Sequence, residues 1–179
     1  GADDKDVNRV EVACAQIKAD DTLGAFAVQT AQLNQARHGG SAVLSGDQLY
    51  VIGGSNGDGQ LQGLKTVEHA TIGANGALGR FVVDPPLVTE RAAAAVLLLG
   101  HTMFAIGGNG PSGPANSVES ASFDSALALG AFATVPGVTL PVGVGNTVGG
   151  ATGPSIYVAG GQVADGTATS VVSHLVLGL

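Results

Sequence analysis

An apolar segment that runs into two adjacent glycines and then a polar loop occurs three times in this chain of 179 residues: QLYVIGGSNGDG from Gln48, TMFAIGGNGPSG from Thr102 and SIYVAGGQVADG from Ser155. The diglycines fall at Gly53-Gly54, Gly107-Gly108 and Gly160-Gly161, spaced by 54 and 53 residues. A second mark, Leu-Gly-x-Phe, recurs at Leu23/Phe26, Leu78/Phe81 and Leu129/Phe132, and Val-Glu recurs ahead of it at Val10-Glu11, Val67-Glu68 and Val118-Glu119. Three marks on one period make a repeat protein, and a period of this order belongs to solenoids and propellers.

Each unit reads as four short strands. SAVL and LYVI flank a Gly46-Asp47 turn and form a tight hairpin of near-continuous apolarity, which predicts inner strands with both faces covered. KTVEHATI alternates and predicts a third strand with one wetter face; Asn75-Gly76 then supplies a turn into GRFVV, the fourth, which carries Phe81. Glycines ending an inner strand let the backbone turn sharply or approach a neighbour where a Cβ would clash. The composition agrees: 29 glycines and only 12% charged residues suit short strands and tight turns, and 45% hydrophobic residues suit a sizeable core.

Arginine, then about a dozen residues, an aromatic near the end of a strand and a diglycine together resemble the kelch repeat of β-propellers. Arg37 with Tyr50 and Gly53-Gly54 matches, as does Arg91 with Phe104 and Gly107-Gly108; the third unit keeps Tyr157 and Gly160-Gly161 but has Val144 at the arginine position. The chain has no tryptophan, and the Leu-Gly-x-Phe phenylalanine takes the outer-strand role, as in divergent bacterial kelch-like repeats. The resemblance implies an all-β, kelch-type propeller of four-stranded antiparallel blades. Repeat units fall at about 8–64, 65–116 and 117–170, with a final partial strand at 171–179, in a single propeller region over 1–179. Both ends offer a third strand, because VNRVEVA and ATSVVSHLV each resemble KTVEHA, with Ser173-His174 at the places of Glu68-His69. The strand count of two, four, four and three predicts a partial ring of about three blades, either a portion of a larger propeller or one partner in a ring built from several chains.

Propellers place function on loops at the faces of the ring. One face is expected to gather the loops after the diglycines and the connections between blades, which makes Arg37, His38, Asn56, Asp58, Gln60, Arg91, Asn109, Asn116 and Asp165 the candidate binding residues. For Arg37 and Arg91 a guanidinium tying a loop to the next blade is favoured over anion binding. His69 and His174 share a repeat position and read as blade-surface residues, while His38 and His101 show no metal spacing. The sequences around Asp58 and Asp165 lack the alternating ligands of a calcium loop, and GSNGDG opens no helix as a dinucleotide site would. No catalytic residue, metal or cofactor is predicted. Cys14 is the single cysteine, in an apolar stretch that suits a buried thiol.

A formal charge of −7 disfavours a nucleic-acid surface. The longest apolar run, AAAAVLLLG, is too short to span a bilayer, and the acidic start lacks the regions of a signal peptide. The expected function is a non-enzymatic interaction module that presents face loops to a protein or glycan, with further chain or subunits completing the propeller. A structural role in an extracellular or cell-surface assembly is the alternative, followed by a kelch-type enzyme such as an oxidase or sugar-acid epimerase. Low charge with abundant Thr and Gly points to an extracellular or cell-surface location.

Overall fold

Two-residue turns with glycine first build the inner half of each unit. Gly46, Gly100 and Gly153 all take positive φ (59°, 59° and 54°), and each joins two five-residue strands in unbroken antiparallel register. Around these hairpins the computed structural model, which describes residues 9–57 and 63–176, places fifteen strands and no helix among the described residues. They are β1 (Arg9–Cys14), β2 (Ala27–Arg37), β3 (Ser41–Ser45), β4 (Gln48–Ile52), β5 (Val67–Thr71), β6 (Val82–Asp84), β7 (Ala95–Leu99) and β8 (Thr102–Ile106). There follow β9 (Asn109–Gly110), β10 (Gly113–Pro114), β11 (Ser117–Ser122), β12 (Ala133–Thr139), β13 (Val148–Thr152), β14 (Ser155–Ala159) and β15 (Val172–Val176).

The sheets are blades. Blade 1 is the pair β1-β2, blade 2 has the order β3-β4-β5-β6, blade 3 the order β7-β8-β11-β12, and blade 4 the order β13-β14-β15; β9 and β10 form a small ribbon in the loop of blade 3. Two, four, four and three strands are the partial ring that the repeat predicts. The blades are offset from the sequence repeat, since each takes its inner hairpin from the end of one unit and its outer strands from the start of the next.

Apolar seams hold successive blades together. Between blades 2 and 3, Tyr50, Ile52 and Val67 meet Met103, Ala105, Ala121 and Phe123, with Leu87, Leu129 and Phe132 filling the outer end. Tyr50 and Phe123 pack edge to face with centroids 5.4 Å apart. Between blades 3 and 4, Leu97, Phe104, Ile106 and Val118 meet Ile156 and Val158 beside Leu140 and Val144. Each fully buried large side chain in these seams contributes on the order of 1.5–3 kcal/mol.

Coverage of both faces, expected for every inner strand, holds only where a blade has two neighbours. In blade 2, Ala42 and Leu44 are exposed on the face turned toward blade 1, which supplies no inner strand there; in blade 4, β13 is exposed along its whole length. β3 (SAVLS) has an apolar centre like that of β7 (AVLLL) but lacks an adjoining blade among the described residues, whereas β13 (VGGAT) is itself less apolar, with two glycines.

The diglycines are placed where a side chain cannot fit. A Cβ on Gly53 (φ 60°) would lie 2.4 Å from the Arg91 carbonyl oxygen, and one on Gly107 (φ 63°) would lie 2.8 Å from that of Val144. In both cases the obstacle is the linker into the following blade, so the glycine sets how closely the blades approach. Gly160, in the last blade, keeps the conformation (φ 62°) but meets nothing closer than 3.8 Å.

Candidate interaction face

The inter-blade linkers and the loops after the diglycines are stitched into one belt. His38 bridges Ser55, Leu64 bridges Arg91, Ala92 bridges Asn109, and Gly145 bridges Gln162, so each loop is tied to the linker before it, and that of blade 2 also to the linker after it. The bridges are backbone pairs, such as His38 N to Ser55 O at 2.9 Å and its reciprocal at 2.8 Å. A belt of this kind fixes loops that would otherwise move independently.

Beneath the belt lie two buried ion-pair knots. The Arg37 guanidinium donates to the carbonyls of Gly53 and Thr66 and to the Glu68 carboxylate, whose other oxygen accepts the Asn34 backbone N–H (2.7 Å) and Nδ2 (2.9 Å). In the next blade Arg91 donates to the carbonyls of Gly107 and Ser117, to the Ser117 hydroxyl, and through Nε (3.2 Å) and Nη2 (2.8 Å) to Glu119. Glu119 also accepts the Val88 and Thr89 backbone N–H groups at 2.8 and 3.0 Å. All four charged side chains are at most 2% exposed. Burial pulls the Arg37 pKa down from its ordinary value and the Glu68 charge opposes that pull; a guanidinium stays protonated regardless. Each knot ties the end of one blade and its linker to the third strand of the next, which is the cross-linking role favoured from the sequence. Neither arginine presents its guanidinium to solvent.

The acidic halves of these knots sit in the Val-Glu mark, where sequence reading alone assigns them no role. A signal is available within the repeat. Where Arg37 and Arg91 stand, Glu68 and Glu119 follow; where the third unit has Val144, it has Ser173 in place of the glutamate. Both charges are lost together, as expected if one without the other would be a buried unpaired ion. In that unit the Thr147 hydroxyl donates to the carbonyls of Ala159 (3.1 Å) and Gly160 (3.3 Å), taking over the carbonyl that the arginine serves in the other blades.

The remaining candidates divide by exposure. Asn56 and Asn116 are exposed and, among the described residues, their side chains make no hydrogen bond. Asp165 is exposed and accepts the Thr167 N–H at 2.8 Å, a bond that lowers its pKa below the ordinary aspartate value. His38 is half-buried. Asn109 departs from its expected place in solvent: it is 5% exposed, its backbone is bridged to Ala92, and its carboxamide fills the space over Gly145. Asp58 and Gln60 lie outside the described residues.

A second polar cluster lies away from the belt, in a cavity of about 360 Å³ lined by Asp47, Gln48, Tyr50, His69, Asp84 and the turn at 126–129. His69 Nδ1 stands 2.7 Å from Asp84 Oδ2, and the His69 ring lies 5.2 Å from that of Tyr50. Burial raises the Asp84 pKa against the opposing hydrogen bond and charge of His69. The pair does not recur, since Ser120 holds the His69 position in blade 3. Asp84 carries no signal in the sequence beyond ending a strand. No group of three or more metal-ligating side chains occurs among the described residues, and no helix there is long and apolar enough to cross a membrane.

The comparisons with known proteins converge on the blades. The model of the kelch motif matches residues 36–69, a segment running from the Arg37 linker through both strands of the inner hairpin to Glu68-His69. Among solved structures, that of YjhT superposes with a TM-score of 0.65 at 15% identity, covering 82% of this chain and 45% of that one. No curated protein matches. The chain thus spans under half the length of the solved structure it resembles, and what the likeness shows is the fold. With the motif lying on a complete Arg–Glu knot and its diglycine, inside an all-β array of four-stranded antiparallel blades, the chain has the fold of a kelch-type β-propeller.

Proposed function

We propose that the chain is a non-enzymatic interaction module whose recognition face is the belt of post-diglycine loops and inter-blade linkers, with a protein as its partner. Kelch propellers serve in general as protein-interaction modules, and the observation that carries the reading here is the belt itself. It aligns loops from three blades, two of them over buried Arg–Glu knots, and leaves Asn56, Asn116 and Asp165 exposed along it. Rigid support with adaptable polar groups at the surface lowers the entropy lost on binding. A glycan is the second class of ligand that such amide and carboxylate groups suit, and low charge with abundant Gly and Thr favours an extracellular or cell-surface setting.

The test is photo-crosslinking in cells that express the protein, with a photoreactive residue placed in turn at Asn56, Asn116 and Asp165 and, as controls, at Asn75 and Ala126 in the outer turns. A discrete protein adduct from the loop positions and none from the controls supports the reading. Adducts that are the same at both sets, or absent from the loop positions, overturn it. Catalysis has one observation in its favour, the His69–Asp84 pair beside Tyr50; turnover of any hydroxylated substrate that His69→Ala abolishes would establish it.

A further inference from the structure

Equivalent positions of blades 2 and 3 differ in one set of three residues. Tyr50 pairs across the sheet with His69 in blade 2, as Phe104 pairs with Ser120 in blade 3. Asp84 follows Phe81 by three residues, as Val135 follows Phe132. A blade of this chain therefore closes with phenylalanine, serine and valine at these places, and packing does not demand the tyrosine, histidine and aspartate of blade 2. Both blades are complete four-stranded sheets, so neither wall of the space between them depends on strands outside the described residues. A largely buried polar set that the fold does without one blade later marks a site rather than a scaffold.

The three residues meet in the cavity of about 360 Å³ between blade 2 and the outer turn of blade 3, a volume in the range of small-molecule sites. Tyr50 is 2% exposed, and among the described residues its hydroxyl makes no hydrogen bond. A buried phenol ordinarily has a partner, and this one faces the cavity instead. The Asp84 side chain is 10% exposed and gives Oδ2 to His69 Nδ1, while Asp84 Oδ1 and His69 Nε2 have no partner among the described residues. A carboxylate at Nδ1 selects the tautomer protonated there, which leaves Nε2 an acceptor. Asp47 adds a second carboxylate on the exposed side, where it accepts from Gln48 Nε2 at 3.1 Å.

One wall of the cavity thus offers acceptors at Asp84, His69 and Asp47 and a hydroxyl that serves either way, with no lysine or arginine beside them among the described residues. The opposite wall, the turn from Ala126 to Leu129, carries only apolar side chains. Such a space suits a ligand with several N–H donors, a positive charge and a short alkyl body. A neutral polyol would satisfy the acceptors but leave the carboxylates without a countercharge, and an anion would be repelled by them. We propose that the cavity binds a primary ammonium group on an alkyl chain. Asp84 Oδ1, His69 Nε2 and the Tyr50 hydroxyl receive the three N–H donors, Asp47 adds attraction, and the 126–129 turn covers the alkyl part. A free alkylamine and the side chain of a lysine on another protein share this chemistry. The site lies away from the loop belt and is independent of what the belt binds.

NMR titration of the purified protein at neutral pH tests this, with butylammonium as the probe and the ring signals of His69 and Tyr50 as the readout. Saturable shifts are expected at those two rings and not at His101 or Tyr157, with a dissociation constant of about 1 mM or tighter. Asp84→Asn is expected to weaken binding about tenfold or more, and Tyr50→Phe, which removes a single oxygen, roughly two- to tenfold, the ranges for charged and neutral hydrogen bonds. Asp47→Asn, on an exposed turn, is expected to weaken binding and flatten its dependence on salt. Nα-acetyl-lysine methylamide separates the sources: binding tighter than that of butylammonium assigns the site to a protein lysine, weaker binding to a free amine, and either upholds an ammonium site. No saturation by ~10 mM butylammonium, as for a cavity that holds water alone, overturns the proposal. So does butanol or glucose binding as tightly as the amine, or an affinity unchanged by both Asp84→Asn and Tyr50→Phe.

Discussion

Replacing Glu119 by alanine isolates the contribution of a buried knot. The carboxylate is 0% exposed and accepts from Arg91 Nε and Nη2 and from the backbone N–H groups of Val88 and Thr89. Its removal leaves a guanidinium that is 1% exposed with no countercharge; breaking such a pair by deleting one partner costs about 3–5 kcal/mol. For a chain of this length each kcal/mol lowers the melting temperature by about 2–4 °C, so the midpoint is expected to fall by roughly 6–20 °C. The third unit shows how the charge can be dispensed with, since Val144, Ser173 and Thr147 stand where blade 3 has Arg91, Glu119 and Ala94. Transplanting that set, Arg91→Val with Glu119→Ser and Ala94→Thr, removes both ions and supplies a hydroxyl for the Gly107 carbonyl. The triple variant is expected to lose about 2 kcal/mol or less, because exchange of a buried pair for apolar residues is near neutral. Urea unfolding of the two variants and the parent measures both quantities. The reasoning is refuted if Glu119→Ala lies within about 1 kcal/mol of the parent, or if the triple variant is no more stable than the single one.

Further outcomes follow from individual positions. Gly53→Ala places a Cβ 2.4 Å from the Arg91 carbonyl at φ 60° and is expected to be among the most destabilising single changes, while Gly46→Asn, at φ 59° with open space around it, stays within about 0.5 kcal/mol of the parent in the same urea assay. Phe132→Ala empties the outer end of the seam between blades 2 and 3 and is expected to cost about 3–5 kcal/mol by denaturant midpoint. The pKa of Asp84 is raised by burial, so its contribution to stability is fully present below the ordinary aspartate value of 3.8 and is lost as pH rises through the raised value. Melting curves across that window are expected to show the parent losing stability relative to Asp84→Asn as pH rises; a flat difference between the two counts against the assignment.

Much of the fold was legible because a repeat writes the same constraint several times. The diglycines, Leu-Gly-x-Phe and the Gly46 turn each mark a backbone or packing requirement that recurs, and four strands per blade follow from their spacing. Exposure of β3 was not legible, since apolar alternation reports what a strand is built to bury and not whether its neighbour is present. The site was less legible than the fold. Arg37 and Arg91 were visible as scarce cations at one repeat position, but Glu68 and Glu119 stand far from them in sequence and come close only through blade packing. Asn109 looked like a loop amide and is buried because the linker glycine Gly145 lets the next blade close over it. The His69–Asp84 contact joins strands within one blade and leaves no mark in the other units.

The account rests on rigid blades that hold an accessible loop face, and hydrogen–deuterium exchange followed by mass spectrometry tests that arrangement directly. Slow exchange is predicted for Tyr50–Ile52, Val67–Ala70, Met103–Ile106 and Val118–Ala121, the paired and buried strands, with fast exchange at Asn56–Gly57 and Ser112 in the loops. Uniform protection across strands and loops, or rapid exchange in the central strands of blades 2 and 3, would contradict it.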